Sequence, residues 1–321
     1  MSPDKPAPGR DPTLCEPAPA KLNLFLHVTG RRDDGYHLLD SLFAFVAAGD
    51  EVSALPAADL GLETGGPFAA ALDNAPGNLV IDAARALAEW RAGPAPGKAG
   101  GRGPGPAGAR ISLIKNLPVA AGMGGGSADA AATLRLLVRL WKLDIGPADL
   151  AGIALKLGAD VPACLESRCL RVAGIGDRIK PAANPPDLGV LLVNPRIAVP
   201  TAAVFKALRQ QGKGFSGAAA GVFSRRQDRA SFLRGLRETG NDLEGPACRI
   251  APEIGALLDR MKEQDDCLMA RMTGSGATCF GLFETPRQAV LAARVMAREK
   301  PDWWICPTEF LVSARPGAGA L

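Results

Sequence analysis

The sequence runs to 321 residues and has only two histidines, His27 and His37, and a single tyrosine, Tyr36. Its seven cysteines (Cys15, Cys164, Cys169, Cys248, Cys267, Cys279 and Cys306) form no CxxC pair, and neither histidine lies near a cysteine cluster. Zinc needs three or four such ligands at close spacing, so a zinc site is excluded. An odd cysteine count, with several inside apolar runs, predicts reduced, buried thiols. No apolar run reaches the length of a membrane span, so no membrane role is expected. Lys and Arg exceed Asp and Glu by only 4, without a dense basic block, which excludes nucleic acid as the expected partner. The first residues, "MSPDKPAPGRDPTLCEPAPA", lack the apolar core of a secretory signal and carry Asp4, Asp11 and Glu16. A cytoplasmic location is therefore expected.

What is abundant is glycine and proline, 38 and 27 residues, unevenly spread. Residues 1–16 read as a loose tail, and "RAGPAPGKAGGRGPGPAGAR" (91–110) as a surface excursion. A third irregular stretch, residues 209–230, suggests a linker or insertion, with a domain boundary somewhere in 180–200. In "AKLNLFLHV" alternation places Leu22, Leu24, Leu26 and Val28 on one strand face and Lys21, Asn23, Phe25 and His27 on the other. Further strands are expected at 42–47, 51–55, 110–115, 169–173, 189–193 and 278–283. Helices are expected at 78–90, 127–141, 148–157, 202–208, 251–262 and 286–298. The irregular alternation of strands and helices fits an α+β fold.

The segment "LPVAAGMGGGSADAAATLRLL" (117–137) places four glycines in five positions, then turns at once into a good helix. Leu134, Leu137, Val138 and Trp141 follow the i, i+3, i+4, i+7 pattern of a buried stripe. Ser127 is expected as its cap, and Asp129 as the acidic residue of its first turn. Glycines before a helix start make either a tight turn or a phosphate cradle, in which free backbone N–H groups face the anion. No Lys-Ser/Thr pair follows, which excludes a Walker loop, and the spacing of Gly122, Gly124 and Gly126 excludes a dinucleotide fingerprint.

"PVAAGMGGGSADAA" resembles the central phosphate-binding motif of the GHMP kinase superfamily. "PAPAKLNLFLHVTGRRDDGYHLLDSLF" is similar to the N-terminal signature of one branch, the 4-diphosphocytidyl-2-C-methyl-D-erythritol kinases. "LGADVPACL" resembles that branch's catalytic-aspartate segment, and "MTGSGATCFGLF" the superfamily's C-terminal glycine motif. The motifs occur in family order over residues 17–283. Met123 stands where Leu is usual and Ala128 where a second Ser often stands, and the segments 91–110 and 209–230 match nothing in the common core.

The resemblance implies a two-domain α+β GHMP kinase fold. Residues 17–185 would form an ATP-binding domain like ribosomal protein S5 domain 2, with a left-handed βαβ unit, and residues 186–315 a ferredoxin-like domain. The implied reaction moves the ATP γ-phosphate to the 2-hydroxyl of 4-diphosphocytidyl-2-C-methyl-D-erythritol, in non-mevalonate isoprenoid biosynthesis. Asp160 would be the general base, with Lys21 beside it to balance its charge and that developing on oxygen. Read alone, Asp160 before Val161-Pro162 suits a turn or helix cap, and Lys21 a solvated strand edge. The ATP phosphates would lie in the loop Pro118, Val119, Ala120, Ala121, Gly122, Met123, Gly124, Gly125, Gly126, Ser127 and Ala128, with Asn78 and Leu79 bordering the adenine. Mg²⁺ would ride on phosphate oxygens and water, without protein ligands. Tyr36 and His37 would bind the cytosine of a cytidine diphosphate acceptor, Asn23 would assist, and Phe205 would stack on the opposite face. Gly274 and Gly276 would approach the substrate. The chain would act as a monomer or homodimer. Another GHMP kinase, acting on homoserine or mevalonate, and a ligand-binding regulator without catalysis are the alternatives.

Overall fold

The computed structural model describes residues 13–72, 77–93, 108–212, 214–219, 223 and 225–311. Two long strands, β1 (Leu14–Arg31) and β2 (His37–Ala57), form an antiparallel ribbon that pairs Leu14 with Ala54 and Arg31 with His37. β3 (Leu60–Gly65), β4 (Gly108–Ile114), β5 (Leu170–Gly174) and β6 (Arg178–Pro181) complete a sheet of order β3-β4-β2-β5-β6, with β1 paired to β2. β3 and β4 are parallel, and α1 (Leu79–Ala92) lies between them in the chain, as a parallel pair requires a crossover. α2 (Gly125–Leu140), α3 (Pro147–Leu157) and α4 (Val161–Glu166) follow. α2 is buried without a break from Ala128 to Leu134, because its alanines let neighbouring elements close in around it.

The second sheet contains β7 (Gly189–Asn194), β8 (Cys267–Met272), β9 (Cys279–Phe283) and β10 (Trp304–Glu309), all antiparallel, in the order β10-β7-β9-β8. α5 (Thr201–Gln210), α6 (Arg229–Arg237), α7 (Glu244–Ile250) and α8 (Glu253–Lys262) lie between β7 and β8. α9 (Pro286–Glu299) joins β9 to β10 and opens on a capping box of Thr285 and Gln288. This is the βαββαβ order of a ferredoxin-like unit with added helices. The two sheets share one core, in which Leu22, Leu24, Phe25 and Val46 pack with Val190, Leu192, Phe280 and Leu282. Arg271 fastens the junction. It is buried and donates to the carbonyls of Leu24, Leu236 and Thr239, each at 2.7 Å.

Several expectations change. β1 begins at Leu14, so Leu14, Cys15 and Glu16 belong to the sheet rather than to a tail. Arg135 and Arg139 of α2 hold Glu16 there. The strands expected at 42–47 and 51–55 are one strand: its ladder with β1 passes through a bulge between Phe45 and Gly49 and resumes pairing at Gly49 instead of ending. Ser127 does not cap α2: Gly124 is the cap, in a left-handed conformation, and the helix starts two residues before Ser127. The leucine stripe of β1 is split. A bulge between Asn23 and Phe25 shifts the register, so Leu22 and Leu24 join the shared core while Leu26 and Val28 join the core of the second sheet. Of the excursion, Arg91 and Ala92 end α1 and Gly108–Arg110 start β4, while 94–107 lie outside the described residues. Residues 209–210 and 229–230 of the other irregular stretch are helical.

Candidate active site

β1 carries Lys21 into the interior, 4% exposed, where its backbone N–H donates to Met123 O at 3.0 Å. Its ammonium lies 3.3 Å from Asp160 Oδ2 and 4.5 Å from the Phe43 ring centroid, and donates to Asn23 Oδ1 at 2.8 Å. Asn23 Nδ2 in turn donates to Ser41 Oγ, and Ser41 Oγ to Phe25 O. Each member of this chain fixes the rotamer of the one before it, so Lys21 has one preferred direction. Asn23 is buried with both amide ends committed to Lys21 and Ser41. The geometry therefore makes it an orienter of Lys21. Asp160 occupies the N-cap position of α4 but makes no side-chain cap bond. The carboxylate turns to Lys21 and stays one-third exposed, open to a ligand.

The glycine loop closes over this pair. Gly124 has φ +64°, and a Cβ there would lie 3.1 Å from Lys21 Cε and 3.7 Å from Asp160 Oδ2. Only glycine tolerates both the dihedral and the approach. The first intrahelical bond runs from Ala128 N to Gly124 O, leaving the N–H groups of Gly125, Gly126 and Ser127 free at the positive end of a sixteen-residue helix. That arrangement fits an anion, and phosphate above all. Met123 and Ala121 anchor the loop in the shared core. Ala128 faces the core of the first sheet, so a hydroxyl at this position would be buried away from a ligand. Beside the loop, Asn78, Leu79, Pro118, Val119, Ala120, Gly125 and Gly126 line a cavity of about 160 Å³ with Leu72, Lys115 and Asp129. Asn78 caps α1 by accepting from Val80 N.

The second glycine loop packs directly on the first. A Cβ on Gly274 would lie 2.6 Å from Gly122 O, and one on Gly122 2.5 Å from Thr273 O. Thr278 N donates to Ala121 O and Asn23 N to Thr273 Oγ1. Gly274 and Gly276 are thereby explained first by loop-on-loop packing.

His37 stacks on Phe205 with centroids 4.6 Å apart, so the structure pairs Phe205 with His37 while Tyr36 stands 64% exposed. His37 lines a cavity of about 490 Å³ with Val28, Arg31, Arg209 and Phe215. Its Nε2 is buried without a partner. Burial lowers the His37 pKa below its usual value, and Arg209 and Arg31 lower it further, which favours the neutral ring. The other histidine is structural: His27 Nδ1 meets Gly217 O, and Gly240 N donates to its Nε2.

The sequence reading missed one cluster. Lys115, just past β4, is buried and bonds Asp50 and Asp129, the latter at 2.7 Å. Asp129 is thus a buried ion partner rather than a first-turn residue. A lone Lys after an apolar strand carries no signal that separates this from a solvated end.

A family model of the GHMP kinases N terminal domain matches residues 78–168, and one of the GHMP kinases C terminal matches 203–302. The chain belongs to the GHMP kinase family. This GHMP kinase is 48% identical over 292 residues to the 4-diphosphocytidyl-2-C-methyl-D-erythritol kinase of Rhodospirillum rubrum, covering 91% of each chain. The corresponding protein of Dinoroseobacter shibae is 46% identical over 302 residues, 94% of this chain and 96% of that one. Among solved structures, a 4-(cytidine 5'-diphospho)-2C-methyl-D-erythritol kinase superposes with TM-score 0.72 at 33% identity, over 93% of this chain and all of that one. A homoserine kinase from Cytophaga hutchinsonii shares the fold, with TM-score 0.66 at 16% identity over 96% of this chain and 98% of that one. Among the described residues no helix is long and apolar enough to cross a membrane.

Proposed function

We propose that this GHMP kinase transfers the γ-phosphate of ATP to the 2-hydroxyl of 4-diphosphocytidyl-2-C-methyl-D-erythritol, a step of non-mevalonate isoprenoid biosynthesis. The observation that carries the reading is the Lys21–Asp160 pair beneath Gly124, set between a helix-start anion cradle and a distant aromatic pocket. β1 links the two ends. From Lys21 to Val28, which lines the large cavity, is about 20 Å of strand. An acceptor whose reacting hydroxyl and recognised base are separated by a diphosphate suits that span. The 33% identical solved relative and the relatives near 46–48% carry this activity in their names. Homoserine and mevalonate contain no base for His37, Phe205 and Tyr36 to hold.

In this reading the residues divide the work of positioning and charge stabilisation that phosphoryl transfer demands. The free N–H groups of Gly125, Gly126 and Ser127 hold the donor phosphates, and the loop from Pro118 through Ala128 wraps them. Asn78 and Leu79 border the adenine. Asp160 accepts the proton of the acceptor hydroxyl as its oxygen attacks the γ-phosphorus, and Lys21 stabilises the charge on the oxygens. His37, with its unpartnered Nε2, bonds the cytosine edge, Phe205 stacks on the ring, and Tyr36 closes from the open side. Gly274 and Gly276 keep the second loop close enough to border the acceptor. Among the described residues no three His, Cys, Asp or Glu side chains could cage an ion. Mg²⁺ would come with the nucleotide, carried on phosphate oxygens and water, and would supply charge neutralisation for the transfer. The two units divide at 185/186, and the protein works in the cytoplasm as a monomer or homodimer.

The test is ADP release by the purified protein with Mg-ATP and candidate acceptors. Turnover is expected with the cytidylated acceptor and not with homoserine or mevalonate. Preference for either of these would replace the assignment, and binding without any turnover would favour a regulator.

A further inference from the structure

The cavity beside the glycine loop contains one group that the proposed reaction does not use. Asp129 lines it, is 3% exposed, and has an Oδ1 that is fully buried and meets no hydrogen-bond partner. Its Oδ2 accepts from Lys115 Nζ at 2.7 Å. Lys115 is shared with Asp50, which is better supplied: Asp50 Oδ1 also accepts from Asn116 N at 2.6 Å and Leu117 N at 2.8 Å. Two buried carboxylates thus face one ammonium: Asp50 takes three donors, whereas Asp129 takes one and its Oδ1 meets none. The other charges nearby are paired among themselves: Lys21 with Asp160 across Gly124, and Asp82 with Arg85 on α1.

A buried carboxyl oxygen without a partner is costly, and the protein offers this one none. We propose that Asp129 binds the nucleotide base as a neutral carboxylic acid, donating Oδ1–H to an acceptor nitrogen of the purine ring. This rests on the nucleotide reading of the α2 loop. Lys115 and Asp50 are then positioning residues that hold the acid in place. Consistent with the geometry, burial pushes the Asp129 carboxyl up, Lys115 pulls it down and Asp50 pushes it up again, leaving it at about 7. Burial pulls the Lys115 ammonium down, but Asp129 and Asp50 outweigh it and its pKa is raised, so the cation persists through neutral pH.

The experiment is the Kd of ADP for the full-length protein from pH 6.5 to 8.5, for wild type, Asp129→Asn and Asp129→Leu, with melting temperatures confirming that each variant is folded. Ionisation removes the donor, so the wild-type Kd should rise roughly five-fold or more across this range, at up to about ten-fold per pH unit above 7. Asp129→Asn keeps a permanent N–H donor beside an oxygen for Lys115, and should show no such rise. Asp129→Leu should bind weakly at every pH. One of the 1-deaza, 3-deaza or 7-deaza analogues of ADP should lose the wild-type pH dependence, which identifies the accepting nitrogen. Parallel pH profiles for wild type and Asp129→Asn, or a dependence that survives in all three analogues, would overturn the proposal while leaving the nucleotide site intact. Failure to bind ADP at any pH would overturn it together with the nucleotide reading.

Discussion

Asp160 and Lys21 show how a residue's chemistry depends on what its neighbours leave unsatisfied. Asp160 stands where a helix cap would be, yet gives its carboxylate to Lys21. Asp160→Asn keeps the shape and removes the base, so kcat should fall on the order of 10³-fold while ADP affinity is retained. An unchanged kcat would remove Asp160 as the base. His37 gives a pH signature at the opposite end of the site. Burial and then Arg209 and Arg31 favour its neutral form, so its folded-state pKa lies below 6.5. As pH falls below 6.5 the unfolded chain takes up the proton first, and stability drops until the folded ring protonates too. When the folded ring does protonate, at a pH below that interval, Nε2 becomes a donor where the neutral ring offers an acceptor. KM for the acceptor should therefore rise as pH is lowered below 6.5, with KM for ATP little changed, and His37→Phe should abolish that asymmetry. Equal acid sensitivity of the two KM values would contradict it.

Between elements, the site depends on backbone-to-backbone contact of the two glycine loops. Gly122→Ala combines φ +77° with a Cβ 2.5 Å from Thr273 O, and should cost at least about 2 kcal/mol in urea unfolding. Gly152→Ala, in α3 with open space around it, should be neutral or slightly stabilising. Comparable losses in both would mean the loop contact is not specific. The same contrast explains what could be read from the sequence. Glycine density before a helix, the strand around Lys21 and the order of four motifs were legible, because each leaves a local pattern of residue types. The Asn23–Ser41 orientation of Lys21, the β1 bulge that splits the leucine stripe, and the Lys115 cluster were not. They depend on which strand lies opposite, and side chains 14 to 65 positions apart in the chain make the contacts. Elements this short were legible only as buried apolar runs, as in β7 and β9; the strands β3, β6, β8 and β10 are only partly buried and, like the short helices α4, α6 and α7, were not read.

At the scale of the molecule, one core joins the sheets, and β2 is tied to β10 through Ala48 N to Thr308 Oγ1 and to the residues just past β10 through Leu311 N to Phe45 O. The α2 glycine loop belongs to the first sheet's side and the Phe205 helix to the second, so alignment of the two ends of the proposed site and global stability are linked. Arg271 is the clearest point of that link. Burial holds its guanidinium down at about 10, still cationic at neutral pH, and its removal strands buried carbonyls from both units. Arg271→Met should lower stability by about 2–4 kcal/mol in a single cooperative transition, with tryptophan fluorescence and circular dichroism coincident. Two separated transitions would contradict a shared core.

The central claim is that the cytidyl group, gripped some 20 Å along β1 from Lys21, qualifies the acceptor for phosphorylation. The most direct measurement compares kcat/KM for the cytidylated acceptor with that for methylerythritol phosphate lacking cytidine, with the product examined by phosphorus NMR. The expected result is a phosphate on the 2-hydroxyl of the cytidylated acceptor and, for the truncated one, a kcat/KM lower by on the order of 10³-fold or more, lost in kcat as well as KM. Equal kcat/KM for the two acceptors would contradict it.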